Sequence, residues 1–438
     1  MTTSVPKRIS NILINSLKGG VVPRVGLEYI TVGRENEINA ILHDIDIISQ
    51  GGATFRFIMG RYGSGKSFLL QTIRNYSCAK GFVVLDCDLS PERRFSGTKG
   101  QGLATYRELI ANMSVKSKMD GGALPLVLEK WLSGIQSEIA TTHLPNTPQF
   151  NIAVEQQIYK ATSSLESLIN GFEFAKAIVM YWHGFLEDDN EKKAAVLKWF
   201  RGEYQSKKDA KEALGINLIV SDDNWYDFLK LFATFMVSAG YNGTLIVVDE
   251  LVNISKIPNG ISRQNNYEKL LTMYNDALQG KAKHMGFLMG ATPQSIEDKY
   301  RGVFSYEALR SRLVAGHFST DLLQDMSAPI IALKMLGQEE VFVLIEKLQN
   351  IHGSLYDYNP KLTHDDLVYF LNVEYNRVGA STHITPREII RDFIELLGIV
   401  WQNPNKTVQE ILGNNSFELA KGGLSDELIN EDFVGFEI

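Results

Sequence analysis

Cysteine is nearly absent: Cys78 and Cys87 are the only two in 438 residues. Two thiols cannot build a disulfide framework or a zinc cluster, and both fall in apolar segments where they read as small buried side chains. The eight histidines are scattered, with no H-E-x-x-H pair and no Cys/His spacing that would chelate a metal. No stretch is long and uncharged enough to span a membrane. The longest apolar-rich piece, Phe228 to Tyr241, carries Lys230 at helical spacing. The first twenty residues lack a continuous apolar signal core. A reducing cytoplasm is therefore the expected location, with no membrane partner. Excess positive charge is missing too. The formal net charge is −7, so any nucleic-acid contact must come from a local patch rather than from the whole surface. Internal repeats and low-complexity tracts are absent.

What remains is ordinary globular material, 44% hydrophobic and 22% charged, long enough for two or three domains. Five short apolar runs read as buried parallel strands: Thr54–Met59, Phe82–Asp88, Thr244–Asp249, Gly286–Ala291 and Pro329–Leu333. Helical patterns separate them, which predicts an α/β fold with a five-stranded parallel sheet. From about Tyr106 to Tyr241 no strand pattern stands out, so this stretch is expected to be a long helical insertion. After Leu336 the pattern is helical again, and Thr385-Pro386 suits a capped helix start with proline in its first turn. The expected organisation is 1–105 (amino-terminal segment and first half of the core), 106–241 (insertion), 242–336 (second half of the core), 337–401 (a small helical domain) and 402–438 (a polar, loosely packed tail).

The most specific signal is "GRYGSGKS", which fits G-x-x-x-x-G-K-[ST] with Gly60, Gly65, Lys66 and Ser67 in the fixed places. Backbone N–H groups of such a loop turn inward around phosphate oxygens. Gly60, Gly63 and Gly65, with Ser64 between them, permit the close approach this needs. A helix opening at Lys66 and running on through Phe68 aims its positive end at the same anion. Lys66 is expected to reach the β- and γ-phosphates of ATP, and the Ser67 hydroxyl to hold Mg²⁺.

Other residues complete the constellation. "TLIVVDE" puts Asp249 and Glu250 at the carboxyl end of a buried strand, the edge where ligands bind in such sheets. Asp249 suits Mg²⁺ through water, and Glu250 suits a general base acting on water. Thr292 follows the fourth run on the same edge and could touch the γ-phosphate; Gln294 is its substitute. Arg310 and Arg312 stand about 200° apart on a helix, so one at most can serve a neighbouring subunit's phosphate. Arg312 is preferred, with a surface ion pair as the ordinary alternative. Arg387 opens a helix of the small domain, from where an arginine could reach a γ-phosphate. The turn at Val32-Gly33-Arg34 could pack near the adenine. Two basic stretches could meet nucleic acid. "SPERRFSGTKGQG" carries Arg93, Arg94 and Lys99. Lys192 to Lys211 mixes lysines with Trp199, Phe200 and Tyr204, although there a helix with its aromatics in the core is the simpler reading.

In this order the set resembles the AAA+ ATPases over about Ile30 to Val400: V-G-R turn, phosphate loop, D-E strand, sensor strand, arginine pair, and an arginine on a helical lid. More closely, "GGVVPRVGLEYITVGRENEI", "FIMGRYGSGKSFLLQ", "LDCDLSPERRF", "SAGYNGTLIVVDEL" and "HITPREIIRDFIELL" resemble the ATP-binding protein D family of bacterial BREX antiphage systems. The origin-recognition members are similar at a greater distance. The resemblance implies a P-loop NTPase of AAA+ type that assembles as a ring or partial ring with ATP between subunits. It implies nucleic-acid-linked work in phage defence, by loading or regulating a helicase or nuclease partner. It also places loops after the second strand at the central pore of such rings. The separation of Lys66 from Asp249 exceeds that of a compact module, which the insertion accounts for. No winged-helix segment follows the lid, which counts against autonomous sequence-specific DNA binding. Two other functions fit the same residues. One is an ATP-dependent switch or scaffold with slow or no hydrolysis. The other is a small-molecule kinase, disfavoured because Asp249-Glu250 suits water as acceptor.

Overall fold

The computed structural model describes residues 5–145, 147–165, 167–314, 325–360, 362–376 and 385–413. The chain divides into two units. Gly33–Leu336 forms one; the described residues up to Val32 and from Gly337 onward form the other.

The first unit is built on a five-stranded sheet of β1 (Ala53–Met59), β2 (Val83–Asp88), β3 (Thr244–Asp249), β4 (Met285–Ala291) and β5 (Ile330–Ala332). Spatial order is β2-β3-β4-β1-β5, with every pairing parallel. Each expected strand run is present to within a residue or two at its ends. Their apolar runs are continuous because both faces are covered. On one face Ile58, Val84, Leu245, Val247 and Leu288 meet Ile41, Ile45 and Ile48 of helix Glu35–Ser49 and Leu69, Leu70 and Ile73 of helix Lys66–Ala79. On the other, Phe55, Phe57, Leu85, Ile246, Val248, Phe287 and Met289 meet helices Gln101–Ala111, Trp225–Ser238 and Gly260–Leu278. The period-two alternation divides the side chains between the two faces, and the all-parallel pairing brings every strand's carboxyl end to the same sheet edge.

Between β2 and β3 the described residues form seven α-helices, from Gln101–Ala111 to Trp225–Ser238. Tyr106 lies inside the first of them, so the helical region opens earlier than its sequence pattern suggests. An aromatic core holds the region together: Phe174 meets Phe200 at 4.9 Å and Phe232 at 5.0 Å, edge to face. Phe228, Phe232 and Phe235 share one face of helix Trp225–Ser238, so the insertion and the sheet draw on one continuous core. Trp199 and Phe200 are fully buried, Tyr204 nearly so, and Trp199 Nε1 donates to Leu218 O. The stretch Lys192 to Lys211 therefore has no stacking surface; its aromatics belong to the core.

The second unit is helical in its described residues. Helix Lys7–Lys18 packs on Gln338–Leu355 and Pro386–Gln402, burying Leu13, Ile14 and Leu17 against rows that include Leu344, Ile345, Leu348, Phe393 and Leu397. The amino-terminal segment thus joins the carboxyl-terminal helices and not the sheet. Thr385 caps the last long helix through a reciprocal box with Glu388, and Pro386 occupies its first turn. Beyond Gln402 a short helix covers Val408–Gly413; the rest of the expected tail lies outside the described residues.

Candidate active site

The phosphate loop leaves β1 at Met59 and enters helix Lys66–Ala79. Gly63 and Gly65 both take left-handed φ, 80° and 85°, which a side chain would resist. A Cβ on Gly60 would fall 2.3 Å from Ser64 Oγ, whereas one on Gly65 would meet nothing within 4 Å. The loop is therefore folded tightly on itself at Gly60 and open at Gly65, a cradle of the kind a phosphate chain fits. Lys66 Nζ donates to Gly60 O (2.8 Å) and Arg61 O (3.1 Å). Burial lowers its pKa, and the charges of Asp249 and Glu250 oppose that shift.

Asp249 ends β3 beside the loop. Its Oδ2 accepts from Ser67 Oγ at 2.7 Å and its Oδ1 from the Glu250 N–H at 2.8 Å. These are hard oxygen donors suited to Mg²⁺. Among the described residues no group of three or more His, Cys, Asp or Glu could hold a metal. A divalent ion here would complete its shell with phosphate oxygens and water.

Glu250 adopts φ 60°, rare for a residue with a side chain and costing on the order of 1 kcal/mol. Its carbonyl is held by Asn253 N at 3.0 Å, and Asn253 Nδ2 also donates to Leu89 O at 2.9 Å, tying the ends of β2 and β3 together. Loss of solvent raises the Glu250 pKa most, followed by repulsion from Asp249 and Asp88; Lys66 and Lys256 counteract. A carboxylate made more basic in this way is better suited to take a proton from water.

Two contributors escaped the sequence reading. Asp88 is in register with Asp249 across the β2–β3 pair, and desolvation followed by repulsion from Asp249 raises its pKa as well. Gly290 in β4 is the other. A Cβ there would sit 2.1 Å from Asp249 Oδ1, so only glycine leaves room for that carboxylate. The acid at the end of "FVVLDCD" was visible in the sequence, but its neighbour depends on strand order. Gly290 carried no signal at all.

The remaining expected residues are distributed as follows. Arg34 is buried, and its guanidinium donates to Ser64 O (2.8 Å) and Lys334 O (2.6 Å) and pairs with Glu37. It braces the phosphate loop against the segment after β5, with Gly33 at φ 63° preceding it. A cavity of about 310 Å³ lies beside this brace, walled by Met59, Gly60, Pro293 and Leu333 among others. Phe68 is half-buried in the first turn of the loop helix. Thr292 follows β4 directly, but its hydroxyl accepts from Ser295 N as a helix cap; Gln294 is exposed beside it. Arg310 faces Glu307 at 3.9 Å, and Arg312 is exposed with Nη1 on Ala308 O. Arg387 is exposed at the start of helix Pro386–Gln402 in the helical unit. Arg93 donates to Asp88 O and pairs with Glu108, Arg94 is half-buried, and Lys99 is exposed. The loop that carries these three is pinned by Asn266, whose Oδ1 accepts from Phe95 N and Ser96 N.

The model of a family described as BREX system ATP-binding protein BrxC/D matches residues 5–416. The chain belongs to this family. No curated protein matches the chain. Membership in BrxC/D makes this an ATP-binding protein of a BREX defence system. No helix among the described residues is long and apolar enough to cross a membrane.

Proposed function

We propose that the chain is a Mg²⁺-dependent ATPase of AAA+ type, working in the cytoplasm in nucleic-acid-linked phage defence. The observation that carries this reading is the Ser67–Asp249 hydrogen bond at the foot of the phosphate loop, with Glu250 next in the chain on the same sheet edge. Backbone N–H groups from Gly60 to Ser67 would hold the triphosphate, and Lys66 would neutralise its outer oxygens. Ser67 and Asp249 would hold the Mg²⁺, which supplies charge neutralisation on the phosphates when bound. Glu250 would orient water and accept its proton, and its raised pKa suits that role.

The strand order β2-β3-β4-β1-β5 supports the AAA+ assignment. In that reading the helical unit is a lid whose Arg387 responds to the γ-phosphate. Arg312, or Arg310, serves a site on a neighbouring subunit of a ring or partial ring. The work done is the loading or regulation of a helicase or nuclease partner. The alternative is a slow or non-hydrolysing switch; the Thr292 hydroxyl accepts from Ser295 N as a helix cap and keeps its own proton to donate to a phosphate in either case.

The test is ATP turnover by the purified chain with and without DNA, beside Lys66→Ala and Glu250→Gln, with particle mass read in the same samples. The ATPase reading expects DNA-stimulated turnover lost in both variants, with Glu250→Gln accumulating as an ATP-bound oligomer. Equal inactivity of wild type and Glu250→Gln, with ATP changing only the mass, would establish the switch.

A further inference from the structure

Tyr300 is the most exposed large apolar side chain among the described residues, at 88%. It stands between Lys299 and Arg301 on the turn after helix Pro293–Glu297, beyond the carboxyl end of β4. The turn is fixed. Asp298 Oδ1 accepts from the N–H groups of Tyr300 (2.7 Å) and Arg301 (3.2 Å), and Tyr267 OH donates to Arg301 O (2.6 Å). The ring is thus held out in water by a rigid base.

Arg301 joins this turn to the segment after β3, which Arg263 braces from within. Arg301 donates through Nε to Ser255 O (3.1 Å) and through Nη2 to Lys256 O (3.2 Å), while Arg263 Nη1 donates to Ile257 O (2.7 Å). The two Arg301 bonds bring the Lys256 backbone against the turn that carries Lys299 and Tyr300. The two segments, 256–263 and 297–301, carry four cations against the acids Glu297 and Asp298, in a chain whose overall charge is −7. Lys256 is also among the charges acting on Glu250, so the patch borders the catalytic edge.

We propose that Lys256, Lys299 and Tyr300 form a binding site for single-stranded nucleic acid on the base that Arg301 fixes, with the lysines on phosphates and the Tyr300 ring as a stacking platform. Phosphate contacts supply affinity that falls with salt, and an exposed ring between them accepts any base face. An acidic peptide would use the cations and leave the ring idle, so the ring decides between the two polyanions. The site rests on the reading that this protein's work is linked to nucleic acid, and it gives that work a location.

The experiment is fluorescence anisotropy of a labelled thymidine oligonucleotide with the full chain, over a salt series, without hydrolysis. Tyr300→Ala should weaken single-strand binding about tenfold while changing duplex binding little, and Tyr300→Phe should restore it. Lys299→Glu should weaken both and reduce the salt slope by about one. Lys208→Glu, at an equally exposed lysine on helix Lys207–Leu214, is the control and should change neither. ATP affinity should stay at the wild-type level in all variants, which verifies their fold. Wild-type binding that is unmoved by Tyr300→Ala and Lys299→Glu would overturn the proposal, as would binding of poly-glutamate in preference to the oligonucleotide. Oligonucleotide binding of the expected pattern in a chain that does not hydrolyse ATP would leave this site standing and remove only the ATPase reading.

Discussion

At the carboxyl edge of the sheet, Glu250 holds a left-handed φ, and burial together with the charge of Asp249 raises the pKa of both Asp88 and Glu250. In the helical insertion, Phe174, Trp199 and Phe200 meet their neighbours edge to face, and buried tryptophans carry the packing. The first region keeps carboxylates close together at a cost in repulsion and backbone strain. The second is held by aromatic packing and by the Trp199 Nε1 bond to Leu218 O. Strain gathers where a ligand's charge can relieve it, and the packing around it supplies the stability that tolerates it.

Substitutions in the two regions should therefore fail in different ways. The largest loss of stability is expected from Trp199→Ala. It empties a fully buried site and removes the Nε1 bond to Leu218 O, and should cost about 3–5 kcal/mol in urea unfolding. ATP affinity of the folded fraction should not change; a loss of affinity in step with stability would mean that the insertion and the sheet edge do not fail separately. Next is Gly290→Ala at the sheet edge. Its Cβ would displace the Asp249 carboxylate and should lower Mg²⁺-dependent ATP turnover about 100-fold, with a smaller shift in the urea midpoint than Trp199→Ala. Turnover near wild type would mean that Asp249 is not held by this contact.

The smallest effect is a matter of pH. The pKa values of Asp88 and Glu250 are raised in the folded chain, so the folded state holds their protons more tightly than the unfolded state. The stability they contribute is present at low pH and is lost as pH rises from the ordinary carboxylate range through the raised values. Asp88→Asn removes one carboxylate and its push on Glu250. It should raise the melting temperature at pH 7 but not at pH 4, and move the acid limb of ATP turnover down by less than about one pH unit. An unchanged acid limb would show that Asp88 does not act on Glu250.

The sheet was legible because each strand is buried on both faces and so spells an uninterrupted apolar run. The turn between β1 and helix Lys66–Ala79 was legible as a turn because its glycines interrupt a strand run and precede a helical one. Strand neighbours were not legible. That Asp88 stands beside Asp249, or Gly290 beneath it, follows from the order β2-β3-β4-β1-β5, which no local pattern encodes. Arg34 was found in its turn, but its job of bracing Ser64 and Lys334 depends on a residue 300 positions away. The aromatics of Lys192 to Lys211 were ambiguous because a stacking surface and a core-facing helix can show the same residues. The grouping of helix Lys7–Lys18 with helices near the other end of the chain was missed for the same reason as the strand order: nothing nearby in sequence announces it.

That last grouping has a consequence for synthesis. The apolar face of helix Lys7–Lys18 leaves the ribosome with its partners, Gln338–Leu355 and Pro386–Gln402, still unmade. At about 5–20 residues per second, some tens of seconds pass before the first of them exists. For that interval this helix is a sticky segment awaiting its other half, open to chaperones or to a second nascent chain.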